Sequence, residues 1–329
     1  PACAYQTTNY DVNGCPVCLW ESRNITNDID YKTKNIIKID NKLLCSSEKS
    51  ESIKKGTISL SKSFNIKTMA KRIDNFDQLK ELLDIEANSR NNCFELSYEK
   101  PDPLMVAKKQ KDEYAILICA LFAYGNAKQI VKFLDSLDFS LLEKSEKQIE
   151  EKLKNHYYRF QNSSDVLTVF KTFRILKKEH SLEELFFEGY KNENSVLEGI
   201  DFVIQKIKEK ANYSSQGFDF LVGNPLKRDK NGKIKDSNAP YKRWNMFLRW
   251  MVRFDTLDLG LWKKIDKKDL ILPLDTHTFK VSKKLGLLEN RTYNLKSALE
   301  ISQKLREFDK NDPIKYDFAI YRLGQEKII

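Results

Sequence analysis

From Met69 to the carboxyl end, apolar residues recur three and four positions apart almost without interruption, and that spacing admits helices and little else. "DEYAILICALFAYGNAKQIVKFLDSL", starting at Asp112, reads as a long buried helix broken near Gly125. "NSSDVLTVFKTFRILKKEH" sets a capping segment ahead of its apolar stripe, and "SVLEGIDFVIQKIKEKA" repeats the spacing. Further helices are expected near Pro240, Asp275 and Asn294, with a last one after Pro313. No strand, heptad or internal repeat stands out in this part. The expected class is all-α: a multi-helix bundle of two helical halves, separated by the polar loop "NPLKRDKNGKIKDSNAP" at residues 224–240.

The first 68 residues differ. They hold four of the six cysteines, Cys3, Cys15, Cys18 and Cys45, and the β-favouring runs "NIIKID" and "GTISLS". They read as an irregular, partly β-forming segment (1–68), with the helical domain, and the natural start, expected at Met69 (69–329). Cys15 and Cys18 form a CxxC pair that could contribute to a zinc site, but the second pair of such sites is missing and no metal is expected. No run of 18 apolar residues and no charged start followed by an apolar core is present, so a cytoplasmic protein without a membrane segment is expected.

Fifty-seven Lys and Arg against 47 Asp and Glu leave a net charge of +10, which suits a polyanionic partner. The excess is concentrated. Between residues 227 and 243, Lys227, Arg228, Lys230, Lys233, Lys235, Lys242 and Arg243 face only Asp229 and Asp236. A solvated charge run is one reading of this stretch; a mobile loop gripping phosphates is the other.

In "SNAPYKRWNMFLRWMVRFD", Ser237 or Asn238 can cap and Pro240 fits a first turn, so a helix is expected from about Pro240 to about Asp255. At 100° per residue Trp244, Phe247, Leu248 and Met251 share a core face, while Lys242, Asn245, Met246, Arg249 and Arg253 share a cationic one. The cations are locally misplaced. Lys242 and Arg243 sit at the positive end of the macrodipole, and Arg249 repels Arg253 at i, i+4; a neighbouring phosphate backbone would remove both costs.

In "LILPLDTHTFKVSKKLGL", Pro273 ends the preceding segment and Asp275 is placed to cap a helix that Gly286 closes. A carboxylate held by helix amides also stays ionised and fixed, the state that stabilises an oxocarbenium ion at a sugar carbon. His277, one of three histidines, reads most simply as a hydrogen-bonding or packing residue of the first turn.

"PLDTHTFKVSKKLGL" resembles the aspartate-bearing segment of the helix-hairpin-helix DNA glycosylase superfamily: an apolar residue, Asp, Thr, His, then an apolar-basic helix ending in Leu-Gly-Leu. Residues from about Met69 onward, above all "YKRWNMFLRWMVRFDTLDLGLW", "PLDTHTF" and "DPIKYDFAIYRLG", more closely resemble the bacterial domain-of-unknown-function-2400 family, placed beside that superfamily. The chain departs from typical glycosylases. It lacks the Leu-Pro-Gly-Val-Gly hairpin and the iron-sulphur cysteines, and Leu257 stands where their lysine would be. The archaeal 8-oxoguanine glycosylases, whose lysine lies much earlier, are the nearest analogy, and they imply Lys242, 33 residues before Asp275, as nucleophile.

The resemblance implies a monomer that binds duplex DNA through Lys227, Arg228, Lys230, Lys233, Lys235, Arg243, Arg249, Arg253 and His277, and that flips a base into a pocket between the halves. Tyr241 or Trp250 would stack on the base or wedge the gap, and Arg159 in "YYRFQNSSDVL" would line the pocket unless it serves as an ion-pair partner. Lys242 would form a Schiff base at C1′ with help from Asp275, without metal or nucleotide cofactor. The main alternative is a nucleic-acid-binding relative that keeps the basic face without the chemistry. A helical protein-interaction scaffold would explain the apolar faces but not the cations.

Overall fold

A computed structural model describes residues 75–329 and, within the amino-terminal segment, the backbone of two strands. These strands, β1 (Ile36–Ile39) and β2 (Lys42–Cys45), pair antiparallel with Ile36 opposite Cys45. β1 falls inside "NIIKID". The "GTISLS" run, the boundary at Met69, and the zinc candidates Cys15 and Cys18 lie outside the described residues.

The rest is helical, as the periodicity requires. The helices are α1 (Phe76–Arg90), α2 (Leu104–Ala107), α3 (Glu113–Leu121), α4 (Ala127–Asp135), α5 (Glu146–Leu153), α6 (Ser163–Glu179), α7 (Leu182–Tyr190), α8 (Val196–Ala211), α9 (Gln216–Val222), α10 (Lys242–Val252), α11 (Thr276–Lys284), α12 (Leu295–Phe308) and α13 (Asp317–Gln325). Local signals set their ends. Asp112 caps α3, accepting from the Ala115 amide at 2.9 Å, and Gly125 at φ 104° makes the break between α3 and α4. Asn162 and Asp165 form a capping box on α6, and Asn294 caps α12.

Every residue of α3 from Tyr114 to Leu121 is buried, which makes it the central helix of the bundle. α8 packs against both α6 and α7, α10 lies against α3, and α13 packs on both α11 and α1, so the last helix closes on the first described one. Arg90 of α1 reinforces that closure by donating to Glu326 at 3.0 Å. No described helix is long and apolar enough to cross a membrane.

α10 departs from expectation. It starts at Lys242, not Pro240, after Tyr241 in a left-handed conformation (φ 48°), has no side-chain cap, and ends at Val252. It is also buried nearly all round, with only Lys242, Arg243 and Met246 partly exposed. Arg249 and Arg253, expected on a cationic surface, are 3% and 4% exposed. Arg249 donates to Asp258 at 3.2 Å and to Asp317 at 2.7 Å; Arg253 donates to the same Asp258 oxygen and holds Asp312 through two bonds of 2.8 and 3.1 Å. Their mutual repulsion is therefore offset by a shared carboxylate inside the protein, and neither arginine is a surface contact for DNA.

Candidate functional site

A cleft of about 950 Å³ opens where several helix starts meet. Its wall takes in the first turns of α4, α10, α11 and α13, together with the chain just after α9. Helix amino ends carry positive partial charge, so their convergence favours an anion. The same cleft gathers many of the residues singled out in the sequence: Lys227, Tyr241, Lys242, Arg243, Arg249, Trp250, Asp275 and His277 all line it.

Asp275 is the N-cap of α11, as read. Its Oδ1 accepts from the amides of His277 and Thr278, both at 2.8 Å. No described residue donates to Oδ2, so one oxygen holds the helix while the other remains available to a ligand. Asp275 also acts at a distance on its neighbours. Burial first, then Asp275, raises Tyr293 to about 12, and burial with Asp102 and Asp275 raises Tyr321.

Lys242, the first residue of α10, is half-buried, and its ammonium has no hydrogen-bond or ion-pair partner among the described residues. Beside it, Arg243 donates to the carbonyls of Leu121 (2.5 Å) and Phe220, with its guanidinium over the rings of Phe220 and Tyr124. Burial pushes Arg243 down to about 10. A desolvated cation with carbonyl and aromatic partners but no carboxylate is better satisfied once an anion enters the cleft. The lining thus brings together cations, among them Lys227, Lys242 and Arg243, and carboxylates, among them Asp102, Asp275 and Asp317.

The basic loop is not a free arm. Buried Asn238 accepts from the Lys227 amide (2.8 Å) and donates to the carbonyls of Lys227 (2.9 Å) and Lys235 (2.7 Å), closing the loop at its base. Asp229 accepts from the amides of Asn231 and Lys233 around Gly232, which closes its tip. Asn238 thus serves the loop and caps no helix. Lys227, Lys230, Lys233 and Lys235 stay exposed without carboxylate partners among the described residues, whereas Arg228 is held by Glu198 at 2.6 Å and Asp201 at 3.4 Å and braces the loop against α8.

The remaining candidates divide. Trp250 is 2% exposed and forms part of the cleft's back wall, which excludes a wedge role. Tyr241 is also buried, its hydroxyl donating to the Asn224 carbonyl at 2.7 Å. His277 is exposed and sits edge-on to Tyr321. Arg159 has no ion pair among the described residues and lies at the rim, over Tyr124 and Phe160.

Sequence reasoning missed Asp317, Tyr124 and Phe220. Asp317 is buried at the cleft; burial raises its carboxyl to about 6 against the pull of Arg249, and Asp275 adds to the rise. Its signal was present as a lone acid in the apolar run "KYDFAIY". Among the described residues no cluster of His, Cys, Asp or Glu could hold a metal ion.

Residues 102–326 match the model of a family described as a protein of unknown function (DUF2400). The chain belongs to that family. The matched span contains every wall of the cleft except Pro101, so the site is made from the family's own sequence. No curated protein and no solved structure matches the chain.

Proposed function

We propose that the protein is a DNA base-excision enzyme, an N-glycosylase and abasic-site lyase in which Lys242 is the nucleophile and Asp275 its partner. The observation that carries this reading is the shared cleft: an unpartnered lysine at the start of α10 and a carboxylate with one unengaged oxygen at the start of α11, flanked by cations suited to phosphates. The resemblance of "PLDTHTF" to the glycosylase aspartate segment agrees with it.

In this mechanism the flipped nucleotide enters the cleft, and the open oxygen of Asp275 stabilises positive charge on the sugar as the bond to the base breaks. The base leaves with the bonding electrons and is protonated. Lys242 Nζ bonds to C1′ and loses its protons as the sugar ring opens, giving a Schiff base. Loss of a C2′ proton then expels the 3′ phosphate by β-elimination.

Duplexes carrying an abasic site or 8-oxoguanine test the proposal on a denaturing gel. Wild-type protein should nick the labelled strand, and Lys242→Gln should lower the rate by at least about a thousandfold with affinity retained. Equal nicking by both proteins would overturn the assignment of Lys242. The second reading, a binding relative without chemistry, is favoured by the missing hairpin, since Leu257 is fully buried and brings no cation to that place. Salt-sensitive binding with no nicking would select it.

A further inference from the structure

The turn between α5 and α6 presents two side chains to which the proposed chemistry assigns no task. Tyr158 and Gln161 pair across it, their amides donating to each other's carbonyls at 3.0 and 2.9 Å. Both are buried and fastened down: the Tyr158 hydroxyl donates to the Tyr124 carbonyl at 2.8 Å, and the Gln161 amide to the Gly217 carbonyl at 2.8 Å. Held out at the tip are Arg159 and Phe160. Arg159 has φ 54°, a conformation that favours Gly or Asn, so a turn that only reversed the chain would carry one of those.

The exposed tip joins an aromatic cluster. Phe160, 61% exposed, lies nearly parallel to Tyr124 (5°, centroids 6.2 Å apart) and edge-on to Phe220 at 5.4 Å. The Arg159 guanidinium sits 5.7 Å from the Tyr124 ring and 5.5 Å from the Phe160 ring, and Arg243 sits 4.7 Å from Phe220. Neither arginine has a carboxylate partner among the described residues. Tyr124, Phe220 and Arg243 also line the cleft, so the cluster is continuous with its mouth.

Exposed aromatic rings, Phe160 and Phe220, interleaved with planar cations that have no carboxylate, match a ligand that offers flat apolar rings and anionic links in alternation. An unpaired nucleic-acid strand is such a ligand, whereas duplex bases are already stacked and present no face. We propose that Arg159, Phe160 and the Tyr124, Phe220 and Arg243 cluster form a stacking platform for unpaired nucleotides at the mouth of the cleft. The platform rests on the proposed function only in taking the cleft to receive nucleic acid, and it needs no reacting lysine.

Fluorescence anisotropy with a labelled oligothymidylate and a lesion-free duplex tests this on the full chain. Phe160→Ala should weaken oligothymidylate binding about tenfold with duplex binding unchanged, and Phe160→Trp should restore it. Arg159→Gly suits the backbone conformation, so the fold is retained, and it should lower the slope of log affinity against log salt by about 0.7. Oligothymidylate binding that is absent in wild type, or unaffected by Phe160→Ala and Arg159→Gly, would overturn the platform and leave the patch to a protein partner. The two readings fail separately: Phe160-dependent binding without nicking sustains the platform alone, and nicking with Phe160-independent binding sustains the lyase alone.

Discussion

Asp275 has a structural task and a proposed chemical one, and a single substitution separates them. Asparagine caps a helix about as well as aspartate, so Asp275→Asn should shift stability by less than about 1 kcal/mol. It cannot carry the negative charge, so nicking should fall about a hundredfold; unchanged nicking would reduce Asp275 to a cap. Asp317 supplies the pH dependence. Its folded carboxyl titrates near 6, above its value of about 3.9 in an unfolded chain, so folding favours its protonated form. The stability it contributes is complete below about pH 4 and is lost as pH rises through about 6. Asp317→Asn cannot ionise there, so its urea midpoint relative to wild type should improve between pH 4.5 and pH 7. A relative midpoint that instead worsens would mean that Arg249 holds the carboxylate ionised throughout.

The basic loop is a hairpin with a buried asparagine at its base. Asn238→Ala leaves the Lys227 amide without its acceptor and takes one of two donors from each of the Lys227 and Lys235 carbonyls, a loss of about 1–3 kcal/mol. Thermal melts should show that loss, together with weaker DNA binding as the lysines lose their fixed spacing. Replacing Lys230, Lys233 and Lys235 together by alanine should leave the melt unchanged and lower the salt dependence of duplex binding by about three units, near one per lost phosphate contact. Elements of this kind were partly legible. The helix start at Asp112, the capping segment at Asn162, the cap at Asp275 and the closing Gly286 depend on short-range chemistry, which one chain displays. α10 was misread because a helical wheel takes arginines for solvent-facing residues. Their partners, Asp258, Asp312 and Asp317, are up to 68 residues away in sequence, and that pairing is visible only once the chain has folded.

Across the whole molecule, the Arg249–Asp317 and Arg253–Asp312 pairs join α10 to the last segment of the chain, while α13 closes on α1. The helical region should therefore unfold as one unit, with fluorescence and circular dichroism transitions coinciding; separated transitions would indicate that the halves fold apart. On the proposed function, the net charge of +10 would supply long-range attraction to nucleic acid, and the converging helix starts would localise it at the cleft. The most direct measurement is borohydride trapping on an abasic-site duplex, followed by mass spectrometry of the digested adduct. A covalent protein–DNA adduct on the peptide containing Lys242, missing in Lys242→Gln, is the predicted result. No adduct, or an adduct on another lysine that persists in Lys242→Gln, would contradict the proposed mechanism.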